Sequence, residues 1–123
     1  MKKFNKEVGN YGENIAKNYL ISKNYELLEL NYRNRYGEID IICFDKDVIV
    51  FVEVKSRFDT SFGNPLEAIN LKKQKKIVNL SLLYIIKKRF TNINCRFDVI
   101  EIYFNKFNDA NKINHIKDAF RTY

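Results

Sequence analysis

With 123 residues, 46% of them hydrophobic and 15% aromatic, the chain can form one domain around one substantial core and is too apolar to be disordered. No apolar run reaches membrane-spanning length, and the basic start from Met1 to Glu7 is not followed by a hydrophobic signal region, so a cytoplasmic protein without a membrane partner is expected. The formal charge of +7 favours a polyanionic partner, although a chain so rich in Lys, Asn and Ile carries part of that basicity as compositional bias.

The first expected element is a helix over residues 10–22. Val8, Tyr11, Ile15, Ala16, Tyr19 and Leu20 recur at three- and four-residue intervals and make one apolar stripe. Glu13 lies at its margin. It serves either as an ion pair with Lys17, four residues on, or as an acid projecting toward the sheet; the residues alone favour the ion pair. A strand follows from Tyr25 to Arg33, with Leu27, Leu28, Leu30 and Tyr32 supplying core, and Asn34-Arg35-Tyr36-Gly37 turns into the next element.

That element is a hairpin from Gly37 to Arg57, two runs of β-branched and aromatic residues around a polar break. A two-residue turn at Lys46-Asp47 places Asp40 opposite Glu53 and Glu38 opposite Lys55. Ile39, Ile41 and Cys43 then face Val54, Val52 and Val50 on one apolar face. The other face is apolar near the turn (Ile42, Phe44, Ile49, Phe51) and charged at its far end. Opposed carboxylates destabilise a sheet and raise one another's pKa unless a cation intervenes. Two acids with a lysine two residues after the second are what a metal-dependent phosphodiesterase needs, with Mg²⁺ or Mn²⁺ held by hard oxygen ligands. The plainer alternative is an edge hairpin with solvated charges; the apolar setting of the acids favours the metal site.

Arg33, Arg35 and Arg57 cluster near the charged end and are either solvated loop charges or groups for phosphate oxygens. Ser56 to Gly63 reads as a loop. Asn64 is placed as an N-cap, with Pro65 at the first helical position and Glu67 completing a capping box. The helix extends to about Lys88 with a break near Asn70, its core side marked by Ile69, Ile77, Leu80 and Tyr84. Lys72, Lys73, Lys75 and Lys76 surround Gln74 in one basic turn, which is read as a phosphate-tracking surface over a merely solvated face.

Arg96 to Phe104 alternates as a fourth strand, where Asp98 is read as a core-edge polar group. An Asn-rich loop over residues 105–111 leads to a short strand or tail at Ile113 to Ile116, ending in Ala119-Phe120. His115 stands alone as a surface or packing histidine. Cys43 and Cys95 are expected buried and reduced, too few for a sulfur metal site. The element order is α-β-β-β-α-β, an α/β domain with a mixed sheet flanked by helices, spanning residues 1–123 as a single unit.

Gly12-Glu13, Asn31-Tyr32-Arg33, Gly37-Glu38-Ile39-Asp40, Phe51-Val52-Glu53-Val54-Lys55-Ser56-Arg57, Phe62-Gly63, Lys73-Gln74 and Arg96-Phe97-Asp98-Val99 together resemble the YraN family of small bacterial proteins. The resemblance runs from about Gly9 to Phe120 and implies a restriction-endonuclease-like fold. It is similar in turn to archaeal-type Holliday junction resolvases and the wider PD-(D/E)xK nucleases. It implies Asp40 and Glu53 as metal-binding acids, Lys55 as the catalytic lysine, Glu13 as the first-helix glutamate and Gln74 as a helix glutamine near the site. The Val54 backbone carbonyl would join Glu13, Asp40 and Glu53 around the metal. The proline that usually precedes the first acid in the superfamily is replaced by Ile39. A nuclease acting on nucleic acid, DNA before RNA, is the leading expectation, and a non-cutting nucleic-acid-binding module on the same scaffold is the alternative. Resolvase relatives work as dimers, which admits a homodimer here, although no dimer face is legible in the sequence.

Overall fold

A computed structural model describes residues 2–58, 69–105 and 110–121. The chain runs α1 (Lys2–Ser22), β1 (Glu26–Asn34), β2 (Gly37–Asp45), β3 (Val48–Phe58), α2 (Leu71–Lys87), β4 (Asn94–Phe104) and β5 (Ala110–Phe120). The five strands form one sheet in the order β1-β2-β3-β4-β5, so β3 is the central strand. All neighbours are antiparallel except β3 and β4, which run parallel and are joined through α2. A parallel neighbour needs a crossover connection, which is why the helix falls between them.

Alternation along β3 and β4 builds two cores on opposite sheet faces. Ala16 and Leu20 of α1 pack on Ile41, Cys43, Val50, Val52, Ile100 and Phe104. Ile77, Leu80 and Tyr84 of α2 pack on Ile39, Ile42, Ile49, Phe51, Phe97 and Val99. Gly12 lets α1 approach β3 closely, since a Cβ there would collide with the Ser56 hydroxyl oxygen. Gly37 enters β2 at φ +145°, a conformation side chains resist.

Several expectations change. Helix α1 begins at Lys2, well before residue 10. The tail at Ile113 to Ile116 is part of a full strand of 11 residues, because β4 offers it a complete antiparallel edge. Cys43 is buried but Cys95, at the start of β4, is exposed. The expected cap at Asn64, Pro65 and Glu67 lies outside the described residues. Among those described, α2 is capped by Asn70, whose side chain accepts from the Lys73 N–H at 2.8 Å.

The hairpin register is as expected through Ile41↔Val52, Cys43↔Val50 and Asp45↔Val48, with the turn at Lys46-Asp47. Ile39 is the exception. It packs with Ile42 on the α2 side, although strict alternation would put it with Ile41. The cause lies beside it: Asn31 on β1 adopts a left-handed backbone (φ 52°), and Asp40 falls between the paired positions Ile39↔Tyr32 and Ile41↔Leu30.

A buried polar network fastens the far end of the sheet. Asp98, fully buried, accepts from Arg96 Nε at 3.0 Å and the Asp118 N–H at 3.0 Å, and bonds His115 Nε2 at 2.8 Å. His115 Nδ1 meets the Tyr19 hydroxyl of α1 at 3.0 Å, and Arg96 reaches Asp45 and the Tyr25 hydroxyl. His115 is therefore no isolated group. Burial pushes the Asp98 carboxyl upward, but His115, Arg96 and the Asp118 amide outweigh it and hold it below the usual carboxylate range. Replacing Asp98 by Ala takes one carboxylate from Arg96 and leaves the His115 ring nitrogen and the Asp118 amide without their partner. Urea unfolding should show a loss of about 3–5 kcal/mol, as for removal of one partner of a buried pair; a loss under about 1 kcal/mol would contradict the role given to this network.

Candidate active site

The site forms where the β2–β3 ladder ends. Paired residues run up to Ile41↔Val52. One step on, the Val54 N–H donates to the Asp40 carboxylate (Oδ2, 2.7 Å) in place of a strand carbonyl. Backbone N–H groups of a strand point sideways toward the neighbouring strand. Asp40 therefore lies in the gap between two separating strands, in line with the sheet. The Val54 carbonyl projects to the same side of β3 as its N–H and faces that gap.

Two more acids border Asp40. Glu13 comes from α1 and lines one cleft with Asp40 and Asn31. Glu53 comes from β3 on the α2 side, only 7% exposed, and takes Lys73 Nζ at 2.5 Å and Lys55 Nζ at 3.5 Å, both on Oε1. Burial, then the charge of Glu53, pushes the Asp40 carboxyl up to about 8 against the help of the Val54 N–H. Burial also raises Glu13, against the polar side chains of Asp40 and Asn31 beside it. Burial, then Lys73, lowers the Lys55 amine. Burial would lower Lys73 too, but the Glu53 ion pair and the charge of Asp40 raise it.

The other expected groups divide. Arg57 donates to the fully buried Glu101 (Nε to Oε2, 3.0 Å), which also accepts from the Tyr103 hydroxyl at 3.2 Å and the Asn114 amide at 2.9 Å. Glu101 sits beside Lys55 in the parallel register, so this network flanks the site on β4. Nothing in the alternating run Ile-Glu-Ile announces it, because two of its three partners named here lie 44 and 13 residues away. Arg33 pairs at the surface with Glu38 (2.8 Å), the residue expected across from Lys55. Arg35 lies over the Tyr36 ring at 5.0 Å. Lys72, Lys73 and Lys76 line a cleft of about 350 Å³ with Glu38, and Glu13, Asn31 and Asp40 line another of about 260 Å³ with Lys17.

Gln74 departs from its expected place by the carboxylates. Its side-chain amide donates to the Ile69 carbonyl at 3.0 Å, and it borders the outer face of α2 with Leu71, Lys75, Val78 and Arg121. The α2 side chain that reaches Glu53 is Lys73. The Asn70 cap could have indicated this, since it fixes Lys73 at the third position of the helix.

Among the described residues, no three His, Cys, Asp and Glu side chains form a ready-made metal cluster. A proton on Asp40 and the Lys73 amine balance the acids instead. The donor chemistry still fits a hard divalent cation: Glu13, Asp40, Glu53 and the Val54 carbonyl offer oxygen alone, and the acids oppose one another's charge. Sulfur and imidazole donors are not part of it.

The Asp40 displacement has a consequence for stability. Its ordinary value is 3.8, and the folded carboxyl stays protonated to about 8, so between these limits the folded state binds more protons and stability falls as pH rises. In chelator, wild type should lose about 1–3 kcal/mol relative to Asp40→Asn between about pH 5 and pH 8, since each unit of displacement is worth about 1.4 kcal/mol. Parallel stability curves for the two proteins would contradict the burial of charge at Asp40.

Comparison with known proteins adds the family. The family model described as uncharacterised protein family UPF0102 matches residues 12–102. A UPF0102 protein of Clostridium botulinum (strain Eklund 17B) is 52% identical over 122 residues, covering 99% of this chain and 100% of its own length. One from Clostridium beijerinckii is 50% identical over 98% of both chains, and one from Clostridioides difficile is 51% identical over 94% of this chain and 98% of its own. The matched region holds Glu13, Asp40, Glu53, Lys55 and Lys73, and the chain belongs to the UPF0102 family, the YraN family that its motifs resemble.

Proposed function

We propose that this protein is a Mg²⁺- or Mn²⁺-dependent nuclease that hydrolyses phosphodiester bonds, in DNA before RNA and in branched structures before plain duplex. One observation carries the reading: Asp40, Glu53 and Lys55 converge where two strands part, with Glu13 added from α1. A structural role does not account for a carboxyl pushed up to about 8 by burial and by the charge of Glu53, because the same fold gives Asp98 and Glu101 an arginine and further donors.

Glu13, Asp40, Glu53 and the Val54 carbonyl would hold the metal ion. A bound divalent ion supplies Lewis acidity toward water and charge neutralisation at the phosphate. The chain's own groups do the rest. Lys55, with its amine lowered by burial, is placed beside Glu53 to orient water or a phosphate oxygen. Arg57, fixed by Glu101, and the amines of Lys72, Lys73 and Lys76 border the approach to the carboxylates and suit a phosphate backbone. A basic domain of charge +7 draws such a polyanion to this face. The membrane plays no part in this reading; among the described residues no helix is long and apolar enough to cross one.

A second reading has one observation in its favour. The Lys73–Glu53 ion pair balances that acid without any metal, as a binding module on a nuclease scaffold would need. The two readings separate on a panel of branched, flapped and single-stranded DNA. The nuclease reading expects cleavage that requires Mg²⁺ or Mn²⁺, stops with chelator, and falls by about 10²–10⁴-fold in Glu53→Gln and Lys55→Ala, the range for loss of a positioned catalytic group. Salt-dependent binding that survives Asp40→Asn without any cutting would establish the module instead.

A further inference from the structure

Glu53 presents one carboxylate oxygen to two lysines. Lys73 Nζ lies 2.5 Å from Oε1 and Lys55 Nζ lies 3.5 Å from the same atom. The two amines are held differently. Lys55 rises from the central strand, and its side chain is 25% exposed; Lys73 stands on the first turn of α2 at 41% exposed. The backbone of Lys73 is pinned by the Asn70 cap, so its mobile part is the four-carbon stem. Its outward path leads into the cleft it shares with Lys72 and Lys76.

We propose that Lys73 is a displaceable counter-ion, competing with a divalent cation for Glu53 and, once displaced, contacting a phosphate of bound nucleic acid. This rests on the nuclease reading and adds a residue role to it. Two ammonium groups on one carboxylate oxygen repel an arriving cation, so one amine has to leave that oxygen. Lys73 is the one that can leave: it is the more exposed, its stem turns into solvent, and other phosphate-seeking amines await it. Lys55 remains, confined by the strand beside Glu101. Metal loading and nucleic-acid grip are thereby coupled through a single side chain. An amine that serves first one anion and then another also accounts for a lysine at this position, where a neutral residue would leave Glu53 to Lys55 alone.

Calorimetric titration of the full chain with Mn²⁺ tests the competition directly. Lys73→Met should bind Mn²⁺ about tenfold more tightly than wild type, the gain expected when a competing ion pair is removed. Lys73→Gln, which keeps a polar stem without the charge, should show the same gain. A second measurement reads the coupling: Ca²⁺ should strengthen binding of a branched DNA to wild type and strengthen it less in Lys73→Met. Circular dichroism confirms folding of both variants, whose changes fall at a half-exposed helix position. Unchanged or weaker Mn²⁺ affinity in both variants, with wild type binding the ion, overturns the displacement and leaves the nuclease reading standing. Absence of Mn²⁺ binding by wild type and both variants overturns the two together.

Discussion

The single bond from the Val54 amide to the Asp40 carboxylate shapes this molecule more than any other contact. A buried strand amide must find an acceptor, and here the neighbouring strand does not provide one. The carboxylate of Asp40 takes the place of a ladder carbonyl, so β2 and β3 separate without leaving the amide of Val54 unpaired. That substitution opens the gap, and Asp40 in it feels the charge of a glutamate from α1 and of another from β3. Gly12 contributes from behind by admitting α1 close to Ser56, one residue before Glu13 enters.

The chain handles its other buried acids differently. Asp98 and Glu101 are both fully buried, and each has an arginine and further donors on it. Asp98 is held below the ordinary carboxylate range, while Asp40 is driven far above it. One fold thus contains acids whose surroundings are complete and an acid whose surroundings oppose its charge. Displacements of the second kind accompany functional sites more often than structural ones. The complete networks matter to the site as supports: Asp98 ties β4 and β5 to α1 through His115 and Tyr19, and Glu101 fixes Arg57 beside Lys55.

Much of this was legible in the chain. The hairpin register follows from alternation and a two-residue turn, and the core side of α2 follows from Ile77, Leu80 and Tyr84. The face of Ile39 could not be read, because alternation assumes an unbroken strand and the break comes from the left-handed Asn31 on a different strand. The identity of the α2 side chain at Glu53 turned on which residue caps the helix. Capping from Asn70 selects Lys73 and sends Gln74 to the Ile69 carbonyl, whereas the run Lys-Lys-Gln-Lys-Lys by itself selects none of its members. Glu101 and His115 were opaque for a simpler reason: the arginine on Glu101 and the acid on His115 are distant in sequence, and a lone polar residue in a strand looks the same whether it is solvated or enclosed.

The central claim is that burial and the charge of Glu53 together keep Asp40 protonated near neutrality. Carbon-detected NMR of the Asp40 carboxyl carbon through a pH titration addresses it most directly. The expected result is an apparent pKa near the raised value of about 8, falling toward the ordinary range in Glu53→Gln as the opposing charge is removed. Titration of Asp40 near 3.8 in wild type, unmoved by Glu53→Gln, would mean that the acids do not share a site, and the account would be wrong at its base.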